Sequence, residues 1–343
     1  MGSLMRVVLF LILAGFFSSS YAQDAAPSQA DDTPTIHVST QYVVLDALVE
    51  HKKTGNLIGT LQSKDFVLSE DGVPQSITYF SHDQLPLSVV FLFDLTLSVR
   101  PALEPLAESA REILGHLKPQ DEVAVMVFSS HTELLQNFTT DRTLAADAIG
   151  RASKMKSGEG TFIHESMYEA TDEAMKSTVP GSRKVMVWFT DGTANIENAR
   201  TRKTLGREAP AILHTKEEAT DKLLHSGVVV SELIERTAAT NALVVAADAT
   251  PFAMIYGART GDIHKYADLT GGPVLGTSKK EAADRLSELI DELRGRYTLG
   301  YKPTTSKSGG TFCKLQVRLS PDSLKDLPDQ QDVVVRATNG YYR

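Results

Sequence analysis

Apolar residues run in two rhythms along this chain. Between residues 36 and 85, short stretches alternate with period two: 36–39 (IHVS), 42–49 (YVVLDALV), 66–69 (FVLS) and 77–80 (ITYF). Such stretches predict half-buried strands. Lys53-Thr54-Gly55-Asn56 and Glu70-Asp71-Gly72 separate them, and the Asp-Gly pair predicts a tight hairpin. From about residue 87 the rhythm changes. The run 88–93 (SVVFLF) is almost continuously apolar, as a strand buried on both faces requires. Over 101–117, Leu103, Leu106, Ala110, Ile113, Leu114 and Leu117 recur at spacings of three and four, predicting one helical face.

The alternation continues with strands at 122–128 (EVAVMVF), 133–138 as an edge strand, and 184–190 (KVMVWFT). Helices are expected at 140–152, 162–177, 217–225, 262–269 and 279–294, with Gly271-Gly272-Pro273 breaking the last two apart. Either 227–233 or 242–247 is the remaining strand, and the pattern does not separate them. Strand, helix, strand in succession predicts an α/β fold, doubly wound around a mostly parallel central sheet. Beyond residue 294 the pattern is β again, at 297–301, 312–319 and 333–337. Each β flank is near the lower limit for an independent core, so both are expected to pair into one small β module, a sandwich. The expected organisation is 1–22 signal peptide, 23–34 linker, 35–85 N-terminal β segment, 86–294 α/β domain and 295–343 C-terminal β segment.

The first segment has its own logic. Arg6 precedes an apolar run, 7–17, and the small-residue stretch Ser18-Ser19-Ser20-Tyr21-Ala22 follows. This reads as an export signal cleaved after Ala22, because the run of about 11 residues is short of the roughly 20 that span a bilayer. The mature chain is expected outside the cytoplasm, periplasmic or secreted, with no membrane span. Composition narrows the function further. The 43 acidic residues outnumber 35 basic ones, a net charge of −8, which opposes the electrostatics of nucleic-acid binding. Cys313 is the single cysteine, so neither an intrachain disulfide nor a cysteine-rich zinc site can form.

The candidate chemistry lies at strand ends. Asp94, Thr96 and Ser98 follow the buried strand 88–93, Gly158-Glu159-Gly160-Thr161 leads into a helix, and Asp191 ends the strand 184–190. Ligands of open α/β sheets gather at the carboxyl ends of strands, and oxygen donors there suit a hard divalent cation. Enzyme motifs fail by comparison. Ser153-Lys154-Met155-Lys156 and Lys53-Thr54-Gly55 stand in the wrong order for penicillin-recognising enzymes, and His164-Glu165 lacks the second histidine of a zincin, having Tyr168 there.

Asp94-x-Thr96-x-Ser98, then Thr161, then Asp191-Gly192, resembles the metal-ion-dependent adhesion site (MIDAS) of von Willebrand factor type A (VWFA) domains. The resemblance spans roughly residues 87–294. The stretches 66–80 (FVLSEDGVPQSITYF), 296–302 (RYTLGYK) and 335–342 (VRATNGYY) are similar to the β segments around this domain in secreted bacterial VWFA-related proteins, abundant in acidobacteria. The resemblance implies a Rossmann-like sheet and Thr96, Ser98 and Thr161 as hydroxyl ligands of Mg²⁺, with Asp94 and Asp191 acting directly or through water. Mn²⁺ or Ca²⁺ could take the same place. The family pattern has Ser followed by Gly where this chain has Thr96-Leu97, a change that keeps the hydroxyl and adds bulk. It further implies a non-enzymatic protein that captures a partner's Asp or Glu carboxylate at the metal's open position. A metal-dependent hydrolase, an enzyme accessory subunit and a metal-free scaffold are the alternatives.

Overall fold

The computed structural model describes residues 42–82, 85–96, 99–156, 161–190, 214–235, 264–277, 281–305 and 307–343. Of the expected elements, the strands at 36–39 and 242–247 lie outside these residues, as do the export segment and the linker.

A six-stranded sheet forms the centre of the α/β domain. In chain order its strands are β5 (Leu87–Asp94), β6 (Glu122–Phe128), β7 (Thr132–Thr139), β8 (Arg183–Thr190), β9 (Val229–Glu235) and β10 (Val274–Thr277), arranged β10-β9-β8-β5-β6-β7. All pairs are parallel except β6 with β7, which lies at the edge. Every residue of β5 is buried, and its side chains alternate between two cores. Val89, Phe91 and Phe93 pack with α1 (Arg100–Glu108), α2 (Ala110–Gly115), α3 (Arg142–Lys154) and α7 (Ala282–Arg294). Val90 and Leu92 face α4 (Ile163–Met175), α5 (Lys216–Ser226) and α6 (His264–Thr270). Helices on both faces are why β5 reads as unbroken apolar sequence rather than as an alternation. Trp188 in β8 is fully buried.

Three expectations change in detail. The single helix expected over 101–117 is two, restarting at Ala110, with Pro105 inside the first. The first helix accommodates Pro105 and the interruption comes after it, at Ser109, whose backbone is non-helical. The apolar face nonetheless stays continuous, since Leu103, Leu106, Ala110, Ile113 and Leu114 are all buried. Between the two sites offered for the later strand, β9 occupies the first. Finally, the break at Gly271-Gly272-Pro273 is followed by a strand, β10, rather than directly by a helix. These glycines mark close approach: a Cβ on Gly272 would meet the Val230 carbonyl oxygen, and Gly271 has φ +74° with Ala337 backbone against it.

The two chain flanks form a β-sandwich. Its strands are β1 (Val43–His51), β2 (Phe66–Glu70), β3 (Val73–Gln75), β4 (Ile77–Ser81), β11 (Tyr297–Tyr301), β12 (Phe312–Leu319), β13 (Val333–Ala337) and β14 (Gly340–Tyr342), with a short helix α8 (Pro321–Asp326) after β12. One sheet runs β13-β1-β11-β4 and the other β14-β12-β2-β3. Asp71 and Gly72, both at positive φ, make the tight turn of the β2–β3 hairpin. Leu45, Ala47 and Val49 of β1 share one core with Phe66 and Leu68 of β2, Tyr297 and Leu299 of β11, and Leu315 and Val317 of β12. Neither flank holds that core alone.

Charge ties the sandwich to the α/β domain. Arg183, at the start of β8, has 1 % of its side chain exposed and grips Asp46 of β1 through Nε (2.7 Å) and Nη2 (3.2 Å). Thr298 of β11 donates to the same carboxylate, and Arg183 Nη1 donates to the Leu293 carbonyl at the end of α7. Removing one partner of a buried pair strands the other without solvation. Asp46→Ala is therefore expected to destabilise the protein by roughly 3–5 kcal/mol, measured by urea unfolding. A fragment of residues 40–85 should show no cooperative melt, and adding residues 295–343 to it should restore one.

Candidate metal site at the sheet edge

β5 ends in Asp94, and the parallel register sets Asp94 opposite Phe128 of β6 while Phe93 stands opposite Phe189 of β8. Asp94 therefore shares a sheet face with Leu92 and Val90, the face covered by α4. It has no exposed surface. One carboxylate oxygen accepts the Thr96 amide at 2.8 Å and the other accepts the Thr190 hydroxyl at 3.0 Å. The first bond folds the chain back immediately after the strand. Arg100 N then donates to the Thr96 carbonyl, and α1 begins.

The remaining donors arrive from β6 and α4. Leu95 N donates to the Phe128 carbonyl, which holds the end of β5 against the end of β6. One residue further, the Ser129 carbonyl accepts Phe162 N, so the residue before α4, Thr161, is tied to the same sheet edge. Thr161 is fully buried and Thr96 is 7 % exposed. Asp94, Thr96 and Thr161 thus all lie toward the carboxyl end of the central strands. Ser98 and Asp191 lie outside the described residues, although β8, which leads to Asp191, lies beside β5 as expected.

Sequence reasoning missed Thr190. Its hydroxyl orients the Asp94 carboxylate from the neighbouring strand, and the available signal was a hydroxyl residue directly before the second strand-end carboxylate. Ser129 and Ser130, buried at the end of β6, are further hydroxyls at this edge that the pattern did not single out.

The chemistry of this donor set suits a hard cation: a buried carboxylate that accepts one hydroxyl, with further hydroxyl residues at the same end of the sheet and no nitrogen or sulfur side-chain donor among these residues. The nearby ionisable groups are engaged elsewhere. His164 Nδ1 shares a hydrogen bond with Tyr266 Oη (2.8 Å), and Glu165 accepts from both the backbone N and ring Nδ1 of His214. Burial raises the Glu169 carboxyl above its ordinary range, with Glu165 adding to the rise and a Thr132 hydrogen bond opposing it. Elsewhere, Glu70, Asp71 and Cys313 bring possible ligand atoms together in the sandwich. There Glu70 already takes Arg343, Tyr301 and Tyr341, and Asp71 pairs with Lys307, so that cluster is neutralised from within the protein.

A family model for the von Willebrand factor type A domain matches residues 89–193. The chain carries a von Willebrand factor type A domain. Solved structures similar to this chain at low identity include the following three. The conserved hypothetical protein BatB from Bacteroides thetaiotaomicron is 15 % identical over 60 % of this chain and 98 % of its own, with a TM-score of 0.38. The vWF domain of the type V pili tip protein Mfa5 from Porphyromonas gingivalis is 10 % identical over 61 % and 95 %, with a TM-score of 0.42. Proximal thread matrix protein 1 from the mussel byssus, solved with a zinc-occupied MIDAS motif, is 15 % identical over 62 % of this chain, with a TM-score of 0.40. This chain spans about half of that mussel protein, 48 % of it. No curated protein matches the sequence.

The Thr190–Asp94 bond joins the two central strands at the site. Thr190→Val keeps the shape and removes the donor, and is expected to cost about 1–3 kcal/mol because Asp94 keeps its burial and loses a hydrogen bond. Thermal unfolding in chelator measures the loss.

Proposed function

We propose that this protein is an exported binding module that captures a protein partner through a divalent cation held at the carboxyl edge of its central sheet. Asp94, Thr96, Ser98, Thr161 and Asp191 would hold the ion, the hydroxyls directly and the carboxylates directly or through water. The observation that carries this reading is the full burial of Asp94 beside buried threonines at that edge. A buried carboxylate needs compensation, and a divalent cation at this edge would supply it as an opposite charge.

Mg²⁺ is the first choice, since a small hard ion prefers neutral oxygens and one or two carboxylates; Mn²⁺ and Ca²⁺ accept the same donors. Bound there, the ion supplies an electrophilic position that an external ligand can complete. With two carboxylates in the protein, that position favours a third from outside, an Asp or Glu side chain on the partner. A hydrolytic reading would need a general base beside the ion. The arrangement of His164 with Tyr266 and Glu165 with His214 favours binding instead.

The binding reading predicts that Mg²⁺ raises the melting temperature, by roughly 2.7 kcal/mol of stabilisation at a hundredfold excess over its dissociation constant. Asp94→Ala should fold, lose that rise and lose metal-dependent partner capture; Thr161→Ala should weaken both. Partner capture at wild-type strength in chelator, or by Asp94→Ala, would move the binding site to the β-sandwich.

A further inference from the structure

Far from the sheet edge that carries Asp94, α7 leads into β11 of the sandwich through Gly295 and Arg296 alone. This is a direct covalent link between the α/β domain and the sandwich. Glu292 lies in the last turn of α7 and faces the turn after β1, where a Cβ on Gly55 would stand 3.8 Å from its Oε1. Its Oε2 is buried and has no hydrogen-bond partner. A cleft of about 600 Å³ opens beside it, between α7, β1, β10 and β13.

The charged groups around Glu292 do not compensate it. Glu50 on β1 faces it and takes Arg336 of β13 for itself, at 2.7 Å. On its own helix, Arg285 is held by Glu288 at 2.7 Å, and Asp291 turns to His116, the residue after α2, at 3.4 Å. Lys52 and Lys53 line the cleft, and β10 contributes only Val274, Leu275 and Gly276 there. Burial first, then Glu50 and Glu288, push the Glu292 carboxyl from 4.5 up to about 7, against Arg336 and Arg285. A neutral acid tolerates this seat; a carboxylate without a donor does not.

We propose that Glu292 is a proton-operated latch at the join between the α/β domain and the sandwich. Protonated, it lets the last turn of α7 lie against the turn after β1. Ionised, it swings toward water in the cleft and draws that turn with it, loosening the join. Because the folded-state value lies above the unfolded one, the stabilisation is complete below about pH 4.5 and is lost as pH rises through about 7. An exported protein meets such changes in pH directly.

Hydrogen exchange of the full-length chain, corrected for intrinsic rates, tests the latch. Amides of residues 290–301 should exchange about tenfold faster at pH 8 than at pH 6, and Glu292→Gln should show the slow, pH 6 behaviour at both. In Glu288→Gln the change should persist with a lower midpoint. Equal protection of the wild type at both pH values, or an undiminished pH response in Glu292→Gln, would overturn the proposal. If Glu292→Gln does not fold, carboxyl ¹³C titration of the wild type decides. A midpoint near 7 for the sequentially assigned Glu292 carboxyl supports the latch, and a Glu292 midpoint below about pH 5.5 rejects it.

Discussion

A carboxylate without exposed surface, at the end of a strand buried on both faces, must be matched by donors or by a cation, and the architecture around Asp94 follows from that requirement. The Thr96 amide meets one oxygen and turns the chain out of the sheet into α1. The Thr190 hydroxyl meets the other and fixes β8 against β5. Thr161 is brought alongside because Phe162 N finds the Ser129 carbonyl at the end of β6. Each contact is ordinary secondary-structure termination. Together they gather oxygen at one edge of the sheet, which is the chemistry of a hard-cation site.

The opposite end of the domain meets a different constraint. The sandwich core needs residues from both chain flanks, so the α/β domain leaves it and returns to it, and both connections bear on the same sheet. β1 sits between β11 and β13, and Arg183 reaches from the start of β8 to Asp46 on β1. α7 closes the loop by running directly into β11. Buried arginines cross this join: Arg183 pairs with Asp46 of β1, and the fully buried Arg296 donates to the Gly271 carbonyl. The apolar cores of the domain and of the sandwich hold each unit together. Their join combines the Arg183–Asp46 pair with backbone contacts such as Asn339 N to the Leu269 carbonyl.

Much of this was legible from the order of residues. β5 and β8 announce themselves as runs of apolar residues, and the doubly wound sheet follows from their alternation with helices. The hairpin at Asp71-Gly72 is written in two residues that both adopt positive φ. Short elements were not legible. β3 and β14 have three residues each, too few for an alternation, and β10 has four, including a glycine. α8 has no buried residue, so only its Ser320 cap and Pro321 marked it. Cross-strand relations were also invisible, because the bond from Thr190 to Asp94 depends on strand register and Arg183 looks like any surface arginine until β1 is set beside it. Among the proposed metal ligands, the Thr96 amide bonds Asp94 and Thr161 lies at the same end of the sheet, while Ser98 and Asp191 lie outside the described residues.

The most direct measurement of the central claim is a crystal structure of the protein grown with Mn²⁺, with anomalous scattering used to locate the ion. The account predicts one strong peak at the carboxyl edge of β5, within direct or water-mediated reach of Asp94 and within bonding distance of the Thr96 and Thr161 hydroxyls. It also predicts that the peak disappears in crystals of Asp94→Ala. An empty edge at saturating Mn²⁺, or a peak confined to the Glu70, Asp71 and Cys313 cluster, would contradict it.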